Sequence, residues 1–343
     1  MSRQPNKQAV LLEYVDQLVE KLRAMVPRAI MEGDETAIHQ ARVATRRLKA
    51  AVDVFKPVSS KAHRRELTRI LSKLRKNLGQ ARDLDVVLGH LKAMRGRQLR
   101  PGVQWLVEQL TQKQSESKRA AAEEIDVAKA MSRIGAWWGV RQDWMDAGEK
   151  LDALIGESLH VQLAEFIEHA DVIAGRKGAG TDAKMMDPHQ LRIAGKALRY
   201  TLELAIGGGH RLPAGVSRSF KKMQDALGNW HDQVVLTDCA LKLSLKSLIS
   251  HHDAGVQRSV LDVAKAAMLK SQRELSRFAR LWNANGEALA ATIRAAFPLA
   301  TAVELEQIAE EISESKTDPS PSGSAPSAEP PDQAPAASET SAA

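Results

Sequence analysis

The sequence predicts an all-α protein, and three observations carry that prediction. Apolar residues recur at three- and four-residue spacing from residue 6 to about 300, the period of helices that bury one face. Strand-like alternation rich in Val, Ile and Thr is missing. Prolines and clustered glycines fall between the periodic runs, where they end helices.

Taken in order, helices are expected over 6–26, 34–56, 60–95, 103–140, 148–173, 188–206, 214–249 and 256–284, with a further helical stretch to about 313. A shift of 150 residues carries each of the first four close to one of the next four. The chain therefore reads as a duplicated four-helix unit: two pseudo-symmetric helical bundles, with halves of about 6–147 and 148–303, forming one domain over 1–303. "LSKLRKNLGQARDLDVVL" at 71–88 lines up with "FKKMQDALGNWHDQVVL" at 220–236, sharing Lys73/Lys222, Leu78/Leu227, Gly79/Gly228 and Asp83/Asp232. There the shift is 149, a one-residue difference in a loop.

Residues 314–343 are mostly Ser, Pro, Ala, Glu and Asp with six of the thirteen prolines, a composition expected to stay disordered. Over the whole chain, 43% hydrophobic residues suffice for a packed core. No window approaches the roughly 18–20 apolar residues of a membrane span, and the start "MSRQPNKQ" has no secretory character, so a soluble cytoplasmic protein is expected. The single cysteine, Cys239, has no internal disulfide partner and reads as core filling.

Charge is distributed unevenly. The chain carries +7, but residues 304–343 hold nine acids against Lys316, which leaves +15 for residues 1–303. Residues 39–82 hold thirteen Lys and Arg against Asp53 and Glu66. Such a local excess points to a polyanionic partner.

The second helix shows how that charge is arranged. At about 100° per residue, His39, Arg42, Arg46 and Lys49 fall within an arc of roughly 80°, while Ala37, Ala41, Ala44, Leu48, Ala51, Val52 and Phe55 form the apolar face. In the repeat, His189, Arg192, Lys196 and Arg199 form the stripe and Leu191, Ala194, Leu198, Leu202 and Ala205 face the core. Solvated helix faces normally alternate Glu with Lys, because like-charge pairs one turn apart cost ~0.2–0.5 kcal/mol; residues 39–52 contain no acid. An anionic ligand would remove that cost. The next helix continues the pattern with Arg65, Arg69, Lys73 and Lys76, and its counterpart has Arg218, Lys221 and Lys222 but Asp225 in place of Lys76. The first copy is therefore expected to hold more of the ligand.

Other residues have plainer readings. "DPH" at 187–189 is a helix start, with Asp187 as N-cap and Pro188 in the first turn. His39 and His189 divide between anion contact and a structural bond. Asp83 and Asp85 point to different sides of one helix, and no His or Cys joins them at metal-ligand spacing, so Asp83, Asp85 and Asp232 are expected to hold cations of the neighbouring basic helix. "HHD" at 251–253 reads as loop, and Trp105, Trp137, Trp138 and Trp144 as packing.

The ordered segments "HQARVATRRLKAAVDVF", "LRKNLGQARDLDVVL", "HQLRIAGKALRYTLEL" and "MQDALGNWHDQVVL" resemble the CHAD family, the conserved histidine α-helical domain, over roughly residues 7–300. The resemblance implies two pseudo-symmetric four-helix bundles with a basic surface that binds inorganic polyphosphate, and an association with polyphosphate granules. Its site residues carry over to His39, Arg42, Arg46, Arg47 and Lys49, and to His189, Arg192, Lys196 and Arg199; Arg82 in the second segment joins the candidates. Ala197 stands where the first copy has Arg47. The ExExK signature of the tunnel-type triphosphatases joined to some members is absent.

The expected function is non-enzymatic polyphosphate binding, with no cofactor and no metal. Nucleic-acid binding is the alternative; the stripe lacks base-reading Asn or Gln and an aromatic stacking surface. An enzyme is disfavoured because no carboxylate cluster for Mg²⁺ and no Gly-rich phosphate loop occurs. The acidic tail is expected to compete with the ligand for the basic groove.

Overall fold

The computed structural model describes residues 6–177, 186–249 and 254–298. The segment 314–343, the stretch from 299 to 313 and "HHD" at 251–253 lie outside the described residues. Ten α-helices and no strand occur among those described.

Helix α1 (Lys7–Pro27) starts at Asn6, whose side chain accepts from the Gln8 amide. It runs through a π turn (Arg28–Glu32) to Gly33, left-handed at φ 63°, which re-aims the chain into α2 (Glu35–Val54). Asp34 caps α2 by accepting from the Thr36 and Ala37 amides, satisfying two of the donors that a helix start leaves open. Ser60 caps α3 (Lys61–Ala93) through the His63 amide. Then follow α4 (Arg100–Glu124), α5 (Val127–Ile134), α6 (Trp137–Ala147), α7 (Lys150–Ile173), α8 (Pro188–Gly207), α9 (Ala214–Ile249) and α10 (Ala254–Ala296). Asp187 caps α8 at the His189 amide, with Pro188 in the first turn as expected.

Two helix expectations need correction. The run 103–140 is three helices, because Asp126 starts a new one by accepting from the Lys129 amide at 3.0 Å and the chain turns again before Trp137. The break turns two indoles into the core. Trp137 Nε1 donates to Asp16 at 2.8 Å and Trp144 Nε1 to Ser59 Oγ at 2.8 Å, and Trp144 packs edge-on against Phe55. Trp138, 59% exposed, stays at the surface beside Arg141. Conversely, 256–284 and the stretch after it form one helix to Ala296.

Buried apolar residues fall into two clusters. The larger draws on α1, α2, the first turns of α3, α5 to α8, the start of α9 and the end of α10. The smaller packs Leu84 and Leu91 of α3 and Leu106 and Leu110 of α4 against Leu236 of α9 and Val260 and Ala267 of α10. Neither cluster stops at residue 147, so apolar burial, at about 1.5–3 kcal/mol per large side chain, ties the two lengths of chain together. Where α4 crosses α10, a side chain at Gly102 would lie 2.6 Å from the Ser259 backbone; the Gly102 amide donates to Ser259 Oγ at 2.8 Å instead. Among the described residues no helix is long and apolar enough to cross a membrane.

Candidate functional site

Helices α2 and α8, which carry the two copies of the basic stripe, lie against each other. Their seam is closed by Arg47 of α2, which donates to Glu203 of α8 at 2.7 Å, while Arg199 donates to the other Glu203 oxygen at 2.8 Å. Arg47 thus sits in a helix-to-helix bond, off the stripe. Its helical phase, 80° from His39, is the reason.

Beside the seam is a cleft of 670 Å³ lined by His39, Arg192, Lys196, Arg199, Asp232 and Arg277, with Gln224, Asp225, Gly228 and Asn229 of α9 completing the wall. The first copy faces this cluster too. Arg46 is close enough to act on both Arg192 and Lys196, and Arg82 on His39. Residues 150 positions apart in the chain therefore share one electrostatic environment.

The cations differ in what holds them. Arg42 is only 6% exposed. It lies across Gly79, where an added Cβ would meet its Nη1 at 2.8 Å, and donates to Asp83 at 3.2 Å and to the Arg75 carbonyl at 3.4 Å. Burial pushes its proton affinity down to about 10, with Asp83 opposing. Asp83 does what the sequence suggested for it. Asp85 accepts from Gln114 and stands 3.8 Å from Arg82, and Asp232 stands 3.6 Å from His90 of α3.

Arg192 has no such arrangement. Its Nε is buried without a hydrogen-bond partner, a state that costs about 1–3 kcal/mol for a buried donor, and burial lowers its proton affinity, with Asp232 opposing. Lys196 makes no hydrogen bond or ion pair among the described residues; burial, then the charges of Arg192 and Arg46, push it down to about 7. Burial and Arg192 push the His231 imidazole down to about 4, and burial with Arg82, Arg42 and Arg46 holds His39 below its ordinary range. Both imidazoles are neutral at pH 7. The His189 and His231 rings stand 5.6 Å apart.

The remaining candidates lie farther out. Lys49 pairs with Asp53 on its own helix and Arg69 with Glu66. Lys73 donates to the Glu124 carbonyl at 2.8 Å, Arg218 to the Ala214 carbonyl at 3.3 Å, and Lys221 to Asp225 at 2.8 Å. Arg65, Lys76 and Lys222 are exposed without an ion pair among the described residues. Counting cations favours the first copy; in and beside the cleft Arg42 is engaged, while Arg46, Arg192 and Lys196 make no ion pair among the described residues. Cys239 is half-buried, and burial raises its thiol, which keeps it protonated.

Four residues in or beside the cleft were missed, Asn229 among them. His231 could have been found, since the 149-residue shift places it opposite Arg82. Gln224, with a buried Nε2 lacking a partner, and Arg277 of α10 reach the cleft only through tertiary packing.

The chain can be compared with known proteins on this basis. The CHAD domain family matches residues 13–241. The crystal structure of the CHAD domain from the plant Ricinus communis is similar, with a TM-score of 0.53 at 20% identity over 88% of this chain and 95% of that one. PptA from Streptomyces chartreusis is similar with a TM-score of 0.51 at 14% identity, over 80% of this chain and 99% of that one. At these identities the likeness concerns the fold alone. No curated protein sequence matches the chain. With two thirds of its length matched and the four motif segments in order, the chain belongs to the CHAD domain family.

Proposed function

We propose that this protein binds inorganic polyphosphate in the cleft between α2, α8 and α9, without turning it over, and that it associates with polyphosphate granules in the cytoplasm. The supporting observation is the meeting of both stripes in one place, with Arg46, Arg192 and Lys196 lacking counter-charges within bonding distance among the described residues. A linear chain of phosphates fits such a cluster. Each unit brings negative charge and acceptor oxygens, Arg offers a planar fork of donors, and Lys offers a mobile point charge. The same reading takes α2–α3 and α8–α9 as copies of one unit, since α2 and α8 are both 20 residues long and their cations face a shared ligand.

Competition tests this reading. Long-chain polyphosphate should displace a labelled polyphosphate at far lower phosphate concentration than duplex DNA does, and log affinity should fall linearly with log salt, about 0.7 for each phosphate contacted on a single-stranded chain. No phosphate should be released when Mg²⁺ is present. Equal displacement by DNA would move the reading to nucleic-acid binding, and binding indifferent to salt would end it.

A further inference from the structure

We infer that the bound polyphosphate leaves the cleft in one direction only, along the exposed face of α3, where a separate groove at the helix start forms a second anion site. This inference rests on the polyphosphate reading and adds where the chain runs.

The groove has a volume of 360 Å³ and is lined by Lys61, Arg64, Arg65, Thr68, Arg69 and Ser72. Arg64 Nε is buried there without a hydrogen-bond partner. Lys61, Arg65, Arg75 and Lys76 make no side-chain hydrogen bond or ion pair among the described residues, while Arg69 is held by Glu66. These cations lie opposite the buried face of α3, which carries Leu67, Leu71, Leu74 and Leu78, within an arc of about 140° that also contains Arg82. Arg82 is the residue whose charge reaches His39 at the cleft. From Lys61 to Arg82 the helix rises about 32 Å. Over those residues α3 carries eight Lys and Arg against Glu66 alone.

A solvated helix face would place acids between those cations. The equivalent stretch of the second copy shows what the alternative looks like. Residues 210–231 hold four Lys and Arg with Asp225, and Lys221 is paired to that aspartate. The space beside α9 is a mostly apolar pocket of 180 Å³ walled by Leu202, Leu212, Val216, Phe220 and Leu289, and the two cations at its rim, Arg199 and Lys221, are already held by Glu203 and Asp225. The basic face therefore runs out of the cleft on the α3 side and stops on the α9 side.

A ligand confined to the cleft does not reach the groove at the start of α3, whereas a long chain engages both places and gains from the raised effective concentration of its second part. Tripolyphosphate and long-chain polyphosphate are titrated against the full chain, the variant Arg65→Gln/Arg75→Gln/Lys76→Gln, and the cleft variant Arg192→Gln/Lys196→Gln, with circular dichroism as folding control. Glutamine has nearly the helix propensity of the residues it replaces. The α3 variant should bind tripolyphosphate like the unmodified chain, lose about tenfold or more for long chains at 50 mM salt, and show a salt slope smaller by about 2, or 0.7 for each of three lost contacts. If its long-chain affinity and salt slope are unchanged while the cleft variant is impaired, the α3 path is wrong and the cleft reading stands. If neither variant is impaired, both fall.

Discussion

Arg42 of α2 and Arg192 of α8 occupy equivalent positions in the repeated helix, 150 residues apart, yet they are held differently. Arg42 stretches over Gly79 to Asp83 and the Arg75 carbonyl. Arg192 faces the cleft with an orphaned Nε, and the matching Gly228 has nothing within 4 Å of where its Cβ would be. The two similar stretches of sequence carry the same arginine at matching positions. One became part of the packing between α2 and α3, and the other kept its charge available. A cation count along the sequence cannot separate the two cases, because the difference lies in what the following helix brings underneath.

The widest separation between the copies should appear in binding. Arg192→Gln/Lys196→Gln should weaken polyphosphate binding by about a hundredfold at 50 mM salt, as expected when two phosphate contacts in a poorly solvated site are lost, and should leave thermal stability unchanged or higher. Arg42→Ala should do the reverse. It removes a nearly buried guanidinium and two hydrogen bonds, but Asp83 is largely solvated, so the loss is about 1–2 kcal/mol of folding stability with a smaller effect on affinity. Denaturant melts and polyphosphate titrations on the same two variants settle the order.

The glycine pair sharpens the contrast at about 1 kcal/mol, the usual helix gain from Gly to Ala. Gly228→Ala should collect that gain, having open space around it. Gly79→Ala should not, because its methyl group would displace the Arg42 guanidinium from its acceptors. Equal stabilisation of both variants would mean that Arg42 is free to move and that the copies are alike.

A smaller difference should appear with pH. Lys196 sits at about 7 in the free protein against an ordinary 10.5, and a neighbouring anion raises it. Binding therefore takes up a proton above pH 7. Affinity is full below about pH 7 and declines as pH rises through the bound-state value. Calorimetry at pH 8 in buffers of different ionisation heat should report that uptake, above the range in which His39 and His231 change charge. Lys196→Arg should abolish it and flatten the pH profile.

Much of this arrangement was legible in the sequence, and the reasons are local. The faces of α2 and α8 follow from helical period, and the Asp187 cap from its neighbours. The breaks within 103–140 were hidden, because the residues around Asp126 have no strong breaker and the turn is imposed by Trp137 and Trp144 seeking Asp16 and Ser59 on distant segments. Helical period places Arg46 on one stripe and Arg192 and Lys196 on the other. It could not reveal that α2 and α8 lie side by side, that Glu203 pairs with Arg47, or that α10 brings Arg277 to the cleft.

Whether both stripes hold the same piece of ligand is read from a double-mutant cycle on tripolyphosphate binding with Arg46→Gln and Lys196→Gln, singly and together. Independent sites add within about 0.3–0.5 kcal/mol. Each single variant should weaken binding, and the pair should depart from additivity by more than that margin. If Arg46→Gln binds tripolyphosphate as the unmodified chain does, or the two losses simply add, the stripes are separate surfaces and the shared cleft is not the site.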